Sequence, residues 1–167
     1  MHSNDFQNII PADFDDRSRV WIFQSSRQLT PAEVEALREL LTQWVSRWKA
    51  HAEPVKGWAD VLMDRFLVFM ADETAVPVSG CSTDGLMRFV KQIEQQFQIA
   101  LFDRLQIAFI EEDRLFTRHL SDLHPEELSA STRYFNNTVL TKKEWVEKWV
   151  LPVHEGWLGE HIQQLQD

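Results

Sequence analysis

The chain has 167 residues, a formal net charge of −9, 44% hydrophobic and 26% charged residues. That length suits one domain able to bury a core without metal or disulfide staples, and the composition excludes a disordered chain. The acidic balance argues against duplex nucleic acid and anionic membrane as partners, because phosphate binding requires a basic surface.

Residues 1–17 are polar and acidic, with Asp5, Asp13, Asp15, Asp16 and Pro11, and read as a flexible N-terminal arm. Its apolar residues Phe6, Ile9, Ile10 and Phe14 are expected to dock a short turn on a single domain spanning 18–167. No basic-then-apolar leader opens the chain, and the longest apolar run, 66–71, falls far short of the ~18 residues of a membrane span. One cysteine, Cys81, forms no internal disulfide, which fits a reducing, cytoplasmic location.

In chain order, residues 20–23 are a short apolar run that suits a central strand better than an edge. Thr30-Pro31-Ala32-Glu33 is a capping box with proline at the first helical position. Val34, Leu37, Leu41, Trp44, Val45 and Trp48 then form the stripe of a helix ending near His51. Residues 60–70 read as strand, with Asp64-Arg65 marking either a bend between two pieces or one face of a long strand.

Next comes Val78-Ser79-Gly80-Cys81-Ser82-Thr83-Asp84, a strand-to-helix turn. It opens a helix whose Leu86, Phe89, Val90, Ile93 and Phe97 form an apolar stripe. Gly80 suits a sharp turn, Ser82 or Thr83 can cap the first amides, and Asp84 suits the positive end of the helix dipole. Residues 105–110 and 115–119 read as a hairpin across Glu111-Glu112-Asp113-Arg114. Residues 121–132 form a polar connection, and Asn136-Asn137 a turn. Thr141-Lys142-Lys143-Glu144 is a second capping box, opening a helix with Trp145, Val146 and Trp149 that Pro152 breaks before a final helix over 153–165. Four strands with helices between and after them predict an α+β fold: a two-layer sandwich, a mixed four-stranded sheet with helices on one face and a helical C-terminus.

Cys81 is the residue on which chemistry centres. It sits beside unpaired amides that favour a thiolate, with the Asp84 carboxylate working against it. With His51 or His119 as base it would be a nucleophile; packed under the helix start it would be a small apolar filler. Ser79, Gly80, Ser82, Thr83 and Asp84 would line a ligand at the same turn. The seven tryptophans include the pairs Trp44/Trp48 and Trp145/Trp149, each four apart on a helix face. Trp145 and Trp149 are expected to serve as interface anchors, because their helix carries few other apolar residues to bury them. Exposed tryptophans could also wall a sugar groove.

No metal site is expected: His154-Glu155 and Glu160-His161 place the histidines seven apart, about 10 Å along a helix, too far to share an ion. None of the five glycines precedes a lysine, so there is no Walker A loop, no dinucleotide fingerprint and no expected cofactor.

Arg19-Val20-Trp21-Ile22-Phe23-Gln24-Ser25, Asp64-Arg65-Phe66, Ser79-Gly80-Cys81-Ser82 with Asp84, Leu101-Phe102-Asp103-Arg104 and Phe135-Asn136-Asn137 together resemble an uncharacterised family of small bacterial proteins. Its members often carry the label "ABC transporter ATPase". The resemblance runs from about residue 18 to near the C-terminus and implies a bacterial cytoplasmic protein, without supplying a catalytic residue. Such an ATPase requires the Walker A loop that this sequence lacks. Two functions follow as expectations: a non-enzymatic module binding a protein or small ligand near Cys81, or a thiol-dependent enzyme or redox sensor using Cys81.

Overall fold

The computed structural model describes residues 5–167, so the first four residues of the expected arm lie outside the described residues. The fold is α+β. It forms two compact units: one is Pro11–Asp103 with Leu140–Trp145, the other is the N-terminal residues to Ile10, Arg104–Val139 and Val146–Asp167. Phe6 (1% exposed) and Phe14, expected to dock the arm, are both buried, Phe6 on a short 3-10 turn over Asp5–Asn8. Burying two phenylalanine rings outweighs the polar character of their neighbours.

The larger unit is built on β1 (Arg19–Gln24), β4 (Lys56–Leu62) and β5 (Phe66–Asp72), in the order β1-β5-β4 and antiparallel throughout. Register places Trp21, Phe69 and Ala59 on one line across the sheet, and Phe23, Leu67 and Val61 on the next. On this face pack α1 (Pro31–Ser46), through Val34, Leu37 and Leu41, and α2 (Gly80–Phe97), through Leu86, Val90 and Ile93. Phe66, Val68 and Met70 on the opposite face are fully buried too, which explains the unbroken apolar run of β5.

Both α1 boundaries have local causes. Thr30 Oγ1 accepts from the Glu33 amide while the Glu33 carboxylate accepts from the Thr30 amide, completing the expected capping box. Arg27 clamps the same carboxylate, and its hydrogen bonds hold Glu33 down at a pKa of about 2. The helix stops at Ser46 rather than near His51. Trp48 instead turns into the core beside β2 (Lys49–Ala50), which pairs with β3 (Glu53–Pro54) in a tight hairpin. His51 and Ala52 form that turn in the left-handed region, at φ 51° and 67°.

Three sheet expectations are corrected. The run 20–23 lies at an edge, β1, rather than in the centre. Its outer side is sheltered by backbone bonds from Val20 N–H to Leu140 C=O and from Lys142 N–H to Ser18 C=O, so an apolar sequence is tolerated there. Residues 60–70 are a hairpin rather than one long strand: Met63 and Asp64 both adopt φ 54°, and β4 folds back on β5 with Leu62 opposite Phe66. Among the described residues the strands form antiparallel sheets of three, two and four rather than one mixed sheet of four.

The second unit holds the four-stranded sheet β7-β6-β8-β9: β6 (Gln106–Glu111), β7 (Arg114–His119), β8 (Arg133–Phe135) and β9 (Val150–Pro152). The expected hairpin over 105–119 is β6–β7, its turn aided by Glu112 at φ 55°. Register lines up Phe116, Phe109, Tyr134 and Leu151 across all four strands, with Phe109 and Phe116 stacked at 5.3 Å. Against this ladder packs α4 (Gly156–Gln166), through Leu158 and Ile162. The Tyr134 hydroxyl donates to the Glu155 carbonyl just before that helix.

Between β8 and β9 runs α3 (Lys142–Lys148), its start held by Thr141 Oγ1 accepting from the Glu144 amide. The Glu144 carboxylate reaches the Leu140 amide rather than closing the second capping box on Thr141.

Candidate functional site

The turn that opens α2 is fixed from within. Ser79 is the N-cap: its hydroxyl accepts from the Ser82 amide at 3.1 Å, and the Ser82 hydroxyl accepts from the Ser79 amide at 2.8 Å. Thr83 Oγ1 donates to the Ser79 carbonyl at 3.0 Å. The expected caps Ser82 and Thr83 thus serve inside the first turn, and the Ser-x-x-Ser spacing was the signal for Ser79. Gly80, expected in a sharp turn before the helix, is the first helical residue, and a Cβ there would meet nothing within 4 Å.

Three hydroxyl side chains are therefore bonded within the turn, and what faces outward is Gly80, Cys81 and Asp84. The amides of Gly80 and Cys81 make no hydrogen bond among the described residues, and both lie at the positive end of an 18-residue helix. Cys81 is free and exposed, so it is not the apolar filler beneath the helix.

Behind this turn stands an aromatic cluster. The buried Trp48 indole N–H donates to the Ser82 carbonyl at 3.3 Å. Trp48 meets Trp44 at 4.9 Å and Trp21 at 5.7 Å, and Trp44 stacks on Phe89 of α2 at 5.0 Å with planes 2° apart. Trp21, Trp44 and Phe89 are half-buried, so the cluster presents ring surface to solvent, and the Arg19 guanidinium lies 4.8 Å over Trp21. The Trp44/Trp48 spacing was visible in the sequence; its link to Ser82 was not, because it joins side chain to backbone across 34 positions. Trp44 and Trp48 are tilted by 40° and Trp21 and Trp48 by 62°, which does not make the parallel wall of a sugar groove.

The two proposed bases lie outside α2. His51 sits exposed in the β2–β3 turn, and no hydrogen bond joins it to Cys81 among the described residues. His119 belongs to the other unit, where its Nδ1 accepts from the Ser121 amide at 3.2 Å. The interface assignment of Trp145 and Trp149 is corrected: both are 0% exposed. Trp145 meets Trp58 at 5.9 Å, while Trp149 lies beyond the end of α3, edge-on to Phe6 at 4.8 Å and to Phe135 at 5.0 Å. They are core residues, since α3 is only 7 residues long and leaves no separate face for the second indole.

Two open depressions of about 370 Å³ each lie elsewhere on the larger unit, one lined by Asp15, Arg17, Ser18, Asp72, Glu73 and Thr74, the other by Pro31, Val34, Glu35, Arg38 and Asp64. In the first, Asp72 is buried and accepts from the Thr74 amide, the Thr74 hydroxyl and the Asp15 amide, with Lys56 Nζ at 3.7 Å. Burial alone would raise its pKa. The bonds from Thr74 and Asp15, with the Lys56 charge, outweigh that and lower it from the ordinary 3.8 to about 2.

A depressed carboxyl stabilises the fold above its unfolded pKa and loses that contribution as pH falls through the folded value. Urea unfolding between pH 4 and pH 2 is therefore expected to lose about 2 kcal/mol through Asp72. In Asp72→Asn the slope over that window becomes shallower without vanishing, because Glu33 titrates there too. An unchanged slope would show that Asp72 is not the titrating group.

No family model matches the chain, and comparison with curated proteins and with solved structures finds no match. Among the described residues no three histidine, cysteine, aspartate or glutamate side chains converge to hold a metal ion, and no helix is long and apolar enough to cross a membrane.

Proposed function

We propose that the chain is a non-enzymatic binding module, which receives a protein or small-molecule ligand at the first turn of α2. The observation that carries this reading is the Trp48–Ser82 hydrogen bond, which ties a half-exposed aromatic cluster to a helix start with two outward amides. Rigid aromatic surface beside fixed donors suits recognition, since little order is lost when a partner arrives. The amides of Gly80 and Cys81 call for an acceptor on the partner, a carbonyl or a carboxylate, with Trp21, Trp44 and Phe89 giving it apolar contact. Asp84 sets the charge limit of the site by opposing a second anion close to it.

A thiol-dependent enzyme or redox sensor using Cys81 is the second reading, favoured by the exposure of the sulfur at a helix start. Its base would be His51, one position beyond β2, against which α2 packs. P-loop nucleotide hydrolysis is not part of either reading. A single exposed thiol agrees with a reducing, cytoplasmic setting and with the bacterial family that the sequence resembles.

The binding reading is tested with the full chain as bait, untreated or carrying N-ethylmaleimide on Cys81. A partner retained by the untreated bait and lost from the modified one is expected. Retention indifferent to the adduct would remove the α2 turn from the binding surface.

A further inference from the structure

The depression lined by Asp15, Arg17, Ser18, Asp72, Glu73 and Thr74 contains a side chain that the fold does not explain. Ser18 is 1% exposed, and its hydroxyl has no hydrogen-bond partner among the described residues. Its backbone is fully used, the amide donating to the Asp15 carbonyl and the carbonyl accepting from the Lys142 amide. The side chain alone is unsatisfied. A buried hydroxyl left without a partner is unfavourable, and alanine would fill the same space without that cost. Groups of this kind call for an explanation outside the apo fold.

Its surroundings define what would satisfy it. The lining carries three carboxylates, Asp15, Asp72 and Glu73, and one guanidinium, Arg17, which Asp15 already engages at 3.0 Å from Nε to Oδ1; beside it, Lys56 Nζ lies 3.7 Å from Asp72. An anion would meet Asp72 and Glu73 without a free cation to hold it. A metal ion is not supported, because no three ligating side chains converge among the described residues. Acceptors do remain: Glu73 Oε1 takes the Val78 amide at 2.9 Å, while Oε2 makes no hydrogen bond among the described residues. With the Ser18 hydroxyl this offers two acceptors to the three donors of a primary ammonium, beside the charge of Glu73, while Asp15 is engaged by Arg17 and Asp72 lies near Lys56.

We infer that this depression binds an alkylammonium group, with Ser18 Oγ and Glu73 Oε2 as acceptors. About 370 Å³ gives room for the alkyl stem as well as the charged head. The group could arrive on a free polyamine or on a lysine side chain; the chemistry is the same, and the test separates the two. The site shares no lining residue with the α2 turn, although Glu73 Oε1 holds the Val78 amide at the start of that turn, and its argument stands whether or not the proposed function does.

The test is an amide-resonance titration of the full ¹⁵N-labelled chain with spermidine and, separately, with Nα-acetyl-lysine methylamide. Its Nε-acetylated counterpart, which lacks the charge, is the control. Saturable shifts at Ser18, Glu73 and Thr74 are expected with at least one amine, the stronger marking the source, and none with the control. Ser18→Ala and Glu73→Gln are each expected to weaken binding about tenfold, the effect of losing one hydrogen bond to a charged group. Without amine, Ser18→Ala is expected to melt at a higher temperature than wild type. Shifts that fail to saturate by about 10 mM, an equal response to the acetylated control, or full affinity in Ser18→Ala overturn the assignment. A lower melting temperature for Ser18→Ala without amine also overturns it, since the hydroxyl would then have a structural partner.

Discussion

Trp149→Ala is expected to cost about 3–5 kcal/mol, measured by urea unfolding at pH 7. The indole is 0% exposed, contacts Phe6 and Phe135 edge-on, and donates through Nε1 to Asn137 Oδ1 at 2.9 Å. Its carbonyl also accepts from the Asn136 amide at 2.6 Å, fixing the backbone where β8 ends. Truncation removes the largest ring of that cluster, leaves a cavity that two neighbouring phenylalanines cannot close, and removes the indole donor from Asn137. The size of the effect separates core from interface: an exposed anchor would lose under about 1 kcal/mol of stability and keep its cost for binding. A small loss would restore Trp149 as a surface residue.

Gly159→Ala is expected to lose about 3 kcal/mol, by a different mechanism. A Cβ at this position would lie 2.2 Å from the His154 carbonyl oxygen and 2.4 Å from its carbon. Both are backbone atoms, so no rotamer change relieves the overlap and the start of α4 must shift. The Gly159 amide bond to the Glu155 carbonyl, at 3.3 Å, would shift with it. Gly80→Ala is the control: nothing lies near its Cβ, and replacing glycine by alanine at a position free of strain gains about 0.4–1 kcal/mol by restricting the unfolded chain. Opposite signs for the two substitutions are expected; a gain at both would mean that chain entropy outweighs the close approach to His154.

The readable parts of this chain were those whose cause is local. Thr30 to Glu33 states its capping box within four positions, and residues 105–119 alternate around a short acidic turn, so both elements were legible. The β4–β5 turn was not, because Met63 and Asp64 enter the left-handed region without the glycine or asparagine that normally marks it. Strands β8 and β9, of 3 residues each, carry no period of their own and exist through pairing with each other and with β6.

Helix α1 was read too long for a related reason. Trp48 continues the apolar spacing, yet burying its indole against β2 and bonding it to Ser82 outweighs one more helical turn. That displacement moved His51 from a helix end to a hairpin. At the site, the place of Cys81 at a helix start followed from the turn pattern, whereas its exposure did not, since the same pattern also fitted a filler packed beneath the helix. The aromatic cluster behind it depended on long-range packing, and so did the burial of Trp145.

Alkylation of Cys81 by iodoacetamide, compared between the native and the urea-unfolded chain, tests the binding-module reading most directly. An exposed thiol with no base bonded to it is expected to react at rates that agree within about threefold in the two states. A native rate about a hundredfold above the unfolded one, falling to the unfolded value in His51→Ala, would contradict that reading and make Cys81 an activated nucleophile.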